Sequence, residues 1–375
     1  MNDNNFVKLG DVAHECRLTW SGDQTNIPIV GLEHFIPGEI ELSSWDSNIE
    51  HTFSKKFTKG QVLLGRRRVY LKKAVVAPCD GICSGDITVI ESTGGILPEL
   101  LPFVVQNDRF FDFAMQGSAG SLSPRVKWEH LKNYEFPLPP LAEQKVLADK
   151  LWAAYRLKES YKKLLVATEE MVKSQFIEMF GIAESTKPLA DFIEVSFPGE
   201  WGQEDKDGSG VKVIRTTNFT NNGKLDLSDV VTRDIDSAKI EKKKLFKGDI
   251  ILERSGGTND NPVGRVVYFE EDGVYLFNNF TQLLRCKEGV NSLFIFYSLF
   301  NYYQMNKNVI RSMGNKTTGI QNLKMDRYWQ IPIADVSIER QKEFESIYRQ
   351  ADKSGFELRK SIEAIDAVIK SLINS

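Results

Sequence analysis

The stretch LAEQKVLADKLWAAYRLKESYKKLLVATEEMVKSQFIEMF, residues 141–180, decides how the rest of the chain is read. It follows Pro137-Leu138-Pro139-Pro140, contains neither Gly nor Pro, and stops at Gly181, the punctuation of one long helix. An apolar heptad stripe runs through Leu147, Leu151, Ala154, Lys158, Tyr161, Leu165, Thr168, Val172 and Gln175. The same spacing returns through Phe344, Tyr348, Ala351, Gly355, Leu358, Ile362, Ile365, Ile369 and Leu372. Lys158 and Gly355 mark one weak rung in each. The approaches also match, because Pro137-Leu138-Pro139 with Glu143-Gln144-Lys145 is answered by Ile331-Pro332-Ile333 with Arg340-Gln341-Lys342. A single such stripe is ordinarily a buried helix face and nothing more. Two stripes in one register, after similar approaches, predict a duplicated unit whose helices pack on each other antiparallel.

The duplication extends to the segments before each helix. In the first, Pro28–Leu32, Phe57–Leu64, Ala74–Pro78 and Asp86–Ile90 read as strands and turns, and Pro98–Met115 as helical. A glycine-serine loop, Gly117-Ser118-Ala119-Gly120-Ser121, precedes Trp128 and Leu131. After a linker, Ile182–Pro188, the same order returns. Lys247-Gly248-Asp249-Ile250-Ile251-Leu252 answers Lys59-Gly60-Gln61-Val62-Leu63-Leu64, Leu293–Tyr303 stands where Pro98–Met115 stood, and Gly314–Gly319 takes the place of the glycine-serine loop. A period of about 190 residues is too long for a solenoid. The predicted fold class is α+β, with two similar globular domains separated by a pair of long antiparallel helices, a coiled-coil spacer with a pseudo-twofold internal repeat.

Composition is that of an ordinary globular chain, 41% apolar and 26% charged, which argues against disordered and membrane classes. The polar start, Met1-Asn2-Asp3-Asn4-Asn5, lacks the order of a signal peptide, and the apolar run Leu293–Phe300 is too short to span a bilayer, so a cytoplasmic location is expected. Four cysteines and four histidines are scattered, and Cys79 and Cys83 have no second pair at ligand spacing, so reduced thiols and no metal are expected. The net charge of −3 warns against assuming a nucleic-acid partner from the total alone.

Catalytic motifs are missing. Asn261-Pro262-Val263-Gly264 lacks the second proline and the aromatic of an adenine-methyltransferase motif, and no glycine-rich loop ends in Gly-Lys-Ser/Thr. Asp249 and Glu253 are followed by Arg254-Ser255 rather than the Glu-x-Lys order of metal-dependent nucleases. The chain is expected to bind and position while partners do the chemistry.

In order and in duplication these features resemble the specificity (S) subunits of Type I restriction-modification enzymes. The resemblance is carried by Pro137–Gln144, the helix ending Gln175-Phe176, the strand from Lys247, and the glycine-bounded loop before each helix. It implies target recognition domains at 1–135 and 182–330 and spacer helices within 136–181 and 331–375. It also implies a bipartite double-stranded DNA target, two docked methyltransferase (M) subunits and restriction (R) subunits. S-adenosylmethionine, ATP and Mg would then sit on those partners and no cofactor on this chain. The second approach departs from the pattern, with Ala334-Asp335-Val336-Ser337 in place of a second proline and Leu-Ala-Glu, although Ser337 suits a helix cap. A forty-residue helix is about 60 Å long, enough to set two readers one DNA turn of roughly 34–36 Å apart. Rival readings are a coiled-coil scaffold that does not read DNA, and a specificity subunit of another modification or defence complex.

Local charge supplies the candidate DNA contacts. Ser54–Lys73 holds Lys55, Lys56, Lys59, Arg66, Arg67, Arg68, Lys72 and Lys73 with no acid, a phosphate-facing pattern when set beside a plain solvated face. Ser118 and Ser121 in the glycine-serine loop join them. In the second half the candidates are Arg215, Asn218, Arg254, Ser255, Asn259 and Lys316-Thr317-Thr318, the last either a phosphate-binding loop or an ordinary surface turn. Helix packing is assigned to Leu147, Leu151, Tyr161, Leu165, Val172, Phe344, Tyr348, Leu358, Ile362 and Ile369.

Overall fold

The computed structural model describes residues 6–118, 124–258, 260–317 and 320–374, with Lys316 and Thr317 described by their backbone. The candidates Ser121, Asn259 and Thr318 lie outside the described residues. The chain divides into two compact units, Met1–Leu164 with Leu358–Ser375, and Leu165–Glu357. Each unit takes one globular region and part of both long helices.

In the first unit Val62–Gly65 lies between Ala74–Val76 and Ile87–Ser92, and Ala13–Cys16 completes a four-stranded antiparallel sheet beyond Ile87–Ser92. Successive side chains of a strand point to opposite faces, and here both faces are covered. Val62, Leu64 and Ile90 enter one core with Phe103, Phe110 and Leu151, whereas Leu63, Val75 and Val89 enter another with Val30, Phe57 and Cys83. That is why the central strand reads as a continuous apolar run rather than an alternation. Beneath the second core, Ile29–Val30 runs parallel to Gly81–Cys83, with Lys55–Phe57 antiparallel on its other side.

The main sheet of the second unit has the same order: Ile193–Val195, Thr281–Cys286, Ile250–Glu253, Val266–Tyr268, all antiparallel. Ile250, Leu252 and Leu284 face a core with Phe294 and Phe344, and Ile251, Val267 and Leu283 face one with Ile214 and Phe277. A parallel pair is present here too, Val211–Ile214 with Tyr275–Phe277, but it is extended by Val231–Asp234 and Gln203–Glu204. Each region is also closed by a two-stranded ladder between its first residues and those just before the long helix: Phe6–Lys8 with Glu135–Pro137, and Thr186–Pro188 with Pro332–Ala334.

Pro98–Met115, expected to be one helical stretch, forms two helices, Leu101–Val105 and Asp108–Gln116. Asn107 separates them by capping the second, its side chain accepting the Arg109 N–H at 3.0 Å. The long helices span Leu141–Phe180 and Ile338–Asn374. Ser337 Oγ accepts the Arg340 N–H at 3.4 Å, so the second helix is capped without the missing proline.

Within the first unit Leu147 and Leu151 line a cavity with Ile373 and Asn374, and Lys158 Nζ donates to Asp366 at 2.8 Å, so the helices run antiparallel. Lys158, the weak rung, is thus 8% exposed and paired rather than left as a break in the seam. Leu151, Val172, Phe344 and Ile369 are buried, and Leu147, Tyr161, Leu165, Tyr348, Leu358 and Ile362 are half-buried. In the second unit Phe176 and Phe180 meet Phe344 edge-on, with centroids 5.0 and 5.8 Å apart. No helix among the described residues is long and apolar enough to cross a membrane, and the four cysteines are free thiols.

Candidate nucleic-acid interface

In the first unit the segment after the central strand pairs with the segment after the glycine-serine loop. Val126 N–H donates to Arg66 O at 3.0 Å, Arg68 N–H donates to Pro124 O at 2.9 Å, and Arg67 bridges Arg125 in antiparallel sense. The arginine triplet and Pro124–Val126, the segment that follows the glycine-serine loop, are therefore brought together at one end of the central strand. Asp86 fixes the arrangement. Its carbonyl accepts the Arg66 N–H at 2.9 Å, and its carboxylate takes Arg125 at 2.7 and 3.3 Å and lies 3.6 Å from Arg67. The hydrogen bond from Arg125 holds the Asp86 carboxyl below its ordinary range, against partial burial and with help from the charges of Arg67 and Arg66.

Arg66 projects toward an open groove of about 670 Å³ lined also by Arg17, Lys55, Lys127 and Trp128, with Glu15 and Glu129 on its wall. Its buried Nε has no partner among the described residues. Arg68 is exposed and sits at φ +51°, a left-handed conformation that costs a non-glycine residue on the order of 1 kcal/mol and is held here by the Pro124 bond.

The second unit repeats the construction. Leu323 N–H donates to Arg254 O at 2.8 Å, and Ser255-Gly256 pairs with Gln321-Asn322, which continues into a hairpin with Gly314–Thr317. The loop beginning at Arg254 and the loop that carries Lys316 thus converge at the end of the central strand. Gly256 and Gly257 make the turn at φ +116° and +66°, and a Cβ on Gly257 would lie 2.7 Å from Val263 N. Arg254 Nη1 reaches Gln282 at 3.4 Å, and Gln321 Oε1 is buried without a partner among the described residues, facing Gly257.

Several sequence candidates lie elsewhere or are occupied. Lys55 donates to Ile87 O at 2.7 Å and approaches Glu15, Lys72 pairs with Asp108 at 2.6 Å, and Lys73 donates to Leu32 O at 2.7 Å. Lys59 is exposed at the turn that begins the central strand, at the opposite end from Arg66. The cation run is therefore divided by the strand it contains, with Lys59 at one end and Arg66, beside Lys55 on the groove wall, at the other. Asp108, bonded by Lys72 and then Lys370, is held below its ordinary range.

Asn218 is 3% exposed and spends its amide on the carbonyls of Asp226 and Asp229 at 2.9 and 3.0 Å, so it organises a loop. Arg215 is tied to Asp229 at 2.9 Å. Ser255 is buried, its hydroxyl donating to Asn322 at 2.6 Å. Conversely, Arg125 and Gln321 lie in the converging segments and Asp86 bonds to both segments of the first unit, and none of the three is among the sequence candidates. Arg125 and Gln321 follow the glycine-bounded loops, which was the available signal. Asp249 and Glu253, which lack the spacing of nuclease residues in the sequence, are buried in ion pairs with Arg285 and Arg265.

Comparison with known proteins follows the same outline. Residues 185–365 match the family model described as the Type I restriction modification DNA specificity domain. A curated relative, the Type I restriction enzyme EcoDI specificity subunit of Escherichia coli, is 30% identical over 119 residues; the match covers 30% of this chain and about a quarter, 26%, of the relative's length. The S subunit of a Type I restriction-modification system from M. genitalium superposes over 100% of this chain and 96% of its own, with 11% identity and a TM-score of 0.59. A chain solved in work on complex assembly and conformational transition of the type I R-M system covers 98% of this chain and 96% of its own, with 16% identity and a TM-score of 0.55. Residues 185–365 thus match the model of the Type I restriction modification DNA specificity domain, and the chain as a whole has the fold seen in a Type I S subunit.

Proposed function

We propose that this chain is the non-catalytic DNA-recognition subunit of a Type I restriction-modification complex. Residues 1–135 and 182–330 each read one half of a bipartite duplex target, and the helices within 136–181 and 331–375 set the spacing and dock two adenine methyltransferase subunits, to which restriction subunits are added. S-adenosylmethionine, ATP and Mg belong to those partners. The observation that carries this reading is the convergence, in each unit, of two polar loops distant in sequence at the same end of the central strand. Arg66 and Arg254 emerge there after equivalent strands. Positioned arginines suit both phosphates and guanine edges, whereas a pure scaffold has no need of them. The negative net charge fits a subunit whose grip on DNA is shared with others.

Methylation mapping in the source strain tests it. The expected result is a split adenine-methylation motif that disappears when the gene is deleted and returns on complementation; an unchanged methylome after deletion rejects the proposal.

A further inference from the structure

His14, Cys16 and Glu91 are too far apart in sequence to be read as a metal motif, and folding brings them together at the edge of the first unit's main sheet. His14 and Cys16 are two positions apart on Ala13–Cys16 and so share a face, and His14 pairs directly opposite Glu91 on the next strand. His14 Nε2 lies 3.6 Å from Cys16 Sγ, Cys16 Sγ 3.1 Å from Glu91 Oε2, and His14 Nε2 4.0 Å from Glu91 Oε2. A tetrahedral Zn²⁺ with the usual bond lengths requires donor separations of roughly 3.3–3.6 Å, within rotamer-scale adjustment of these. Gln61, itself buried, donates its amide to Glu91 Oε2 at 3.1 Å and to Cys16 Sγ at 3.4 Å, while its own oxygen accepts the Thr58 N–H at 2.8 Å. Two of the three donor atoms are thus oriented by a fixed group, as metal ligands commonly are.

The second unit shows what else this position can hold. Asp249 stands there in place of Gln61 and Arg285 in place of Glu91, joined by two 2.7 Å hydrogen bonds. In the first unit Glu91 has no lysine or arginine at ion-pair distance among the described residues, only His14. We propose that His14, Cys16 and Glu91 bind a divalent cation, Zn²⁺ by donor type, with solvent at the fourth position, since His14 and Glu91 are half exposed. The Cys16 thiol gives its proton to solvent as the metal–sulfur bond forms. The ion joins the edge strand to Ile87–Ser92 in the sheet whose central strand delivers Arg66.

Titration of the full-length chain with Co²⁺, followed by thiolate-to-cobalt charge-transfer absorption, tests this site. The wild type should saturate at one equivalent and lose the band to Zn²⁺. Cys16→Ser should abolish the band, His14→Ala and Glu91→Gln should each weaken binding about tenfold or more, and Cys79→Ser should leave it unchanged. The two exposed positions keep the test valid if Cys16→Ser fails to fold, and Zn²⁺ should raise the Tm of the wild type more than that of those two variants. No band in the wild type, an unchanged band in Cys16→Ser, or unchanged binding in both His14→Ala and Glu91→Gln would overturn the proposal.

Discussion

Gln144 and Gln341 show how single residues hold each globular region to its helix. Gln144 accepts the Leu97 N–H at 2.9 Å and donates to Gly95 O and Pro139 O; Gln341 accepts the Asn291 N–H at 2.9 Å and donates to Val336 O. The same amide does the same work twice. Asp86 plays a comparable part at the end of the central strand where Arg66 emerges. Its lowered pKa means that its contribution to stability is complete above the ordinary aspartate value of about 3.9 and is lost as pH falls through the lower folded value. Asp86→Asn should therefore cost about 1 kcal/mol at neutral pH, with the gap to wild type closing in acid below that value, as read from urea midpoints across pH. Arg66→Ala should leave those midpoints nearly unchanged while weakening target binding by the assembled complex by about 1–3 kcal/mol. The sequence could suggest Arg66 from charge and position, but it could not separate it from Lys55 or Lys73. Those two are hydrogen-bonded to the Ile87 and Leu32 carbonyls, whose approach depends on the folded sheet. The engagement of Asn218 is hidden from the sequence for the same reason, its partners Asp226 and Asp229 being supplied by a loop that closes only in three dimensions.

At the scale of elements, the central strands and long helices were legible because burial leaves a periodic or continuous apolar mark. Both strands read as apolar runs, and both stripes fall on residues that are buried or half-buried. The three-residue ladders Phe6–Lys8 with Glu135–Pro137 and Thr186–Pro188 with Pro332–Ala334 left no such mark, being short and proline-bearing at sheet edges. The break at Asn107 is a capping event inside an apolar stretch, which periodicity overlooks. The seam's firmest point in the second unit is aromatic, with Phe176 touching Phe180, Phe294, Tyr297 and Phe344. Phe176→Ala should destabilise the chain by about 3–5 kcal/mol in urea unfolding, whereas Leu164→Ala, at an exposed position, should cost far less.

For the whole molecule, two regions with the same main-sheet order present equivalent loop pairs, and the division of labour proposed for them is separable. In that proposal recognition is assigned to residues 1–135 and 182–330 and spacing to the helices. The direct measurement is the methylome of a strain whose subunit carries residues 1–135 exchanged for those of a related S subunit. One half of the split motif should change, while the other half and the gap between them stay as they were. A change in both halves, or in the gap, would contradict it.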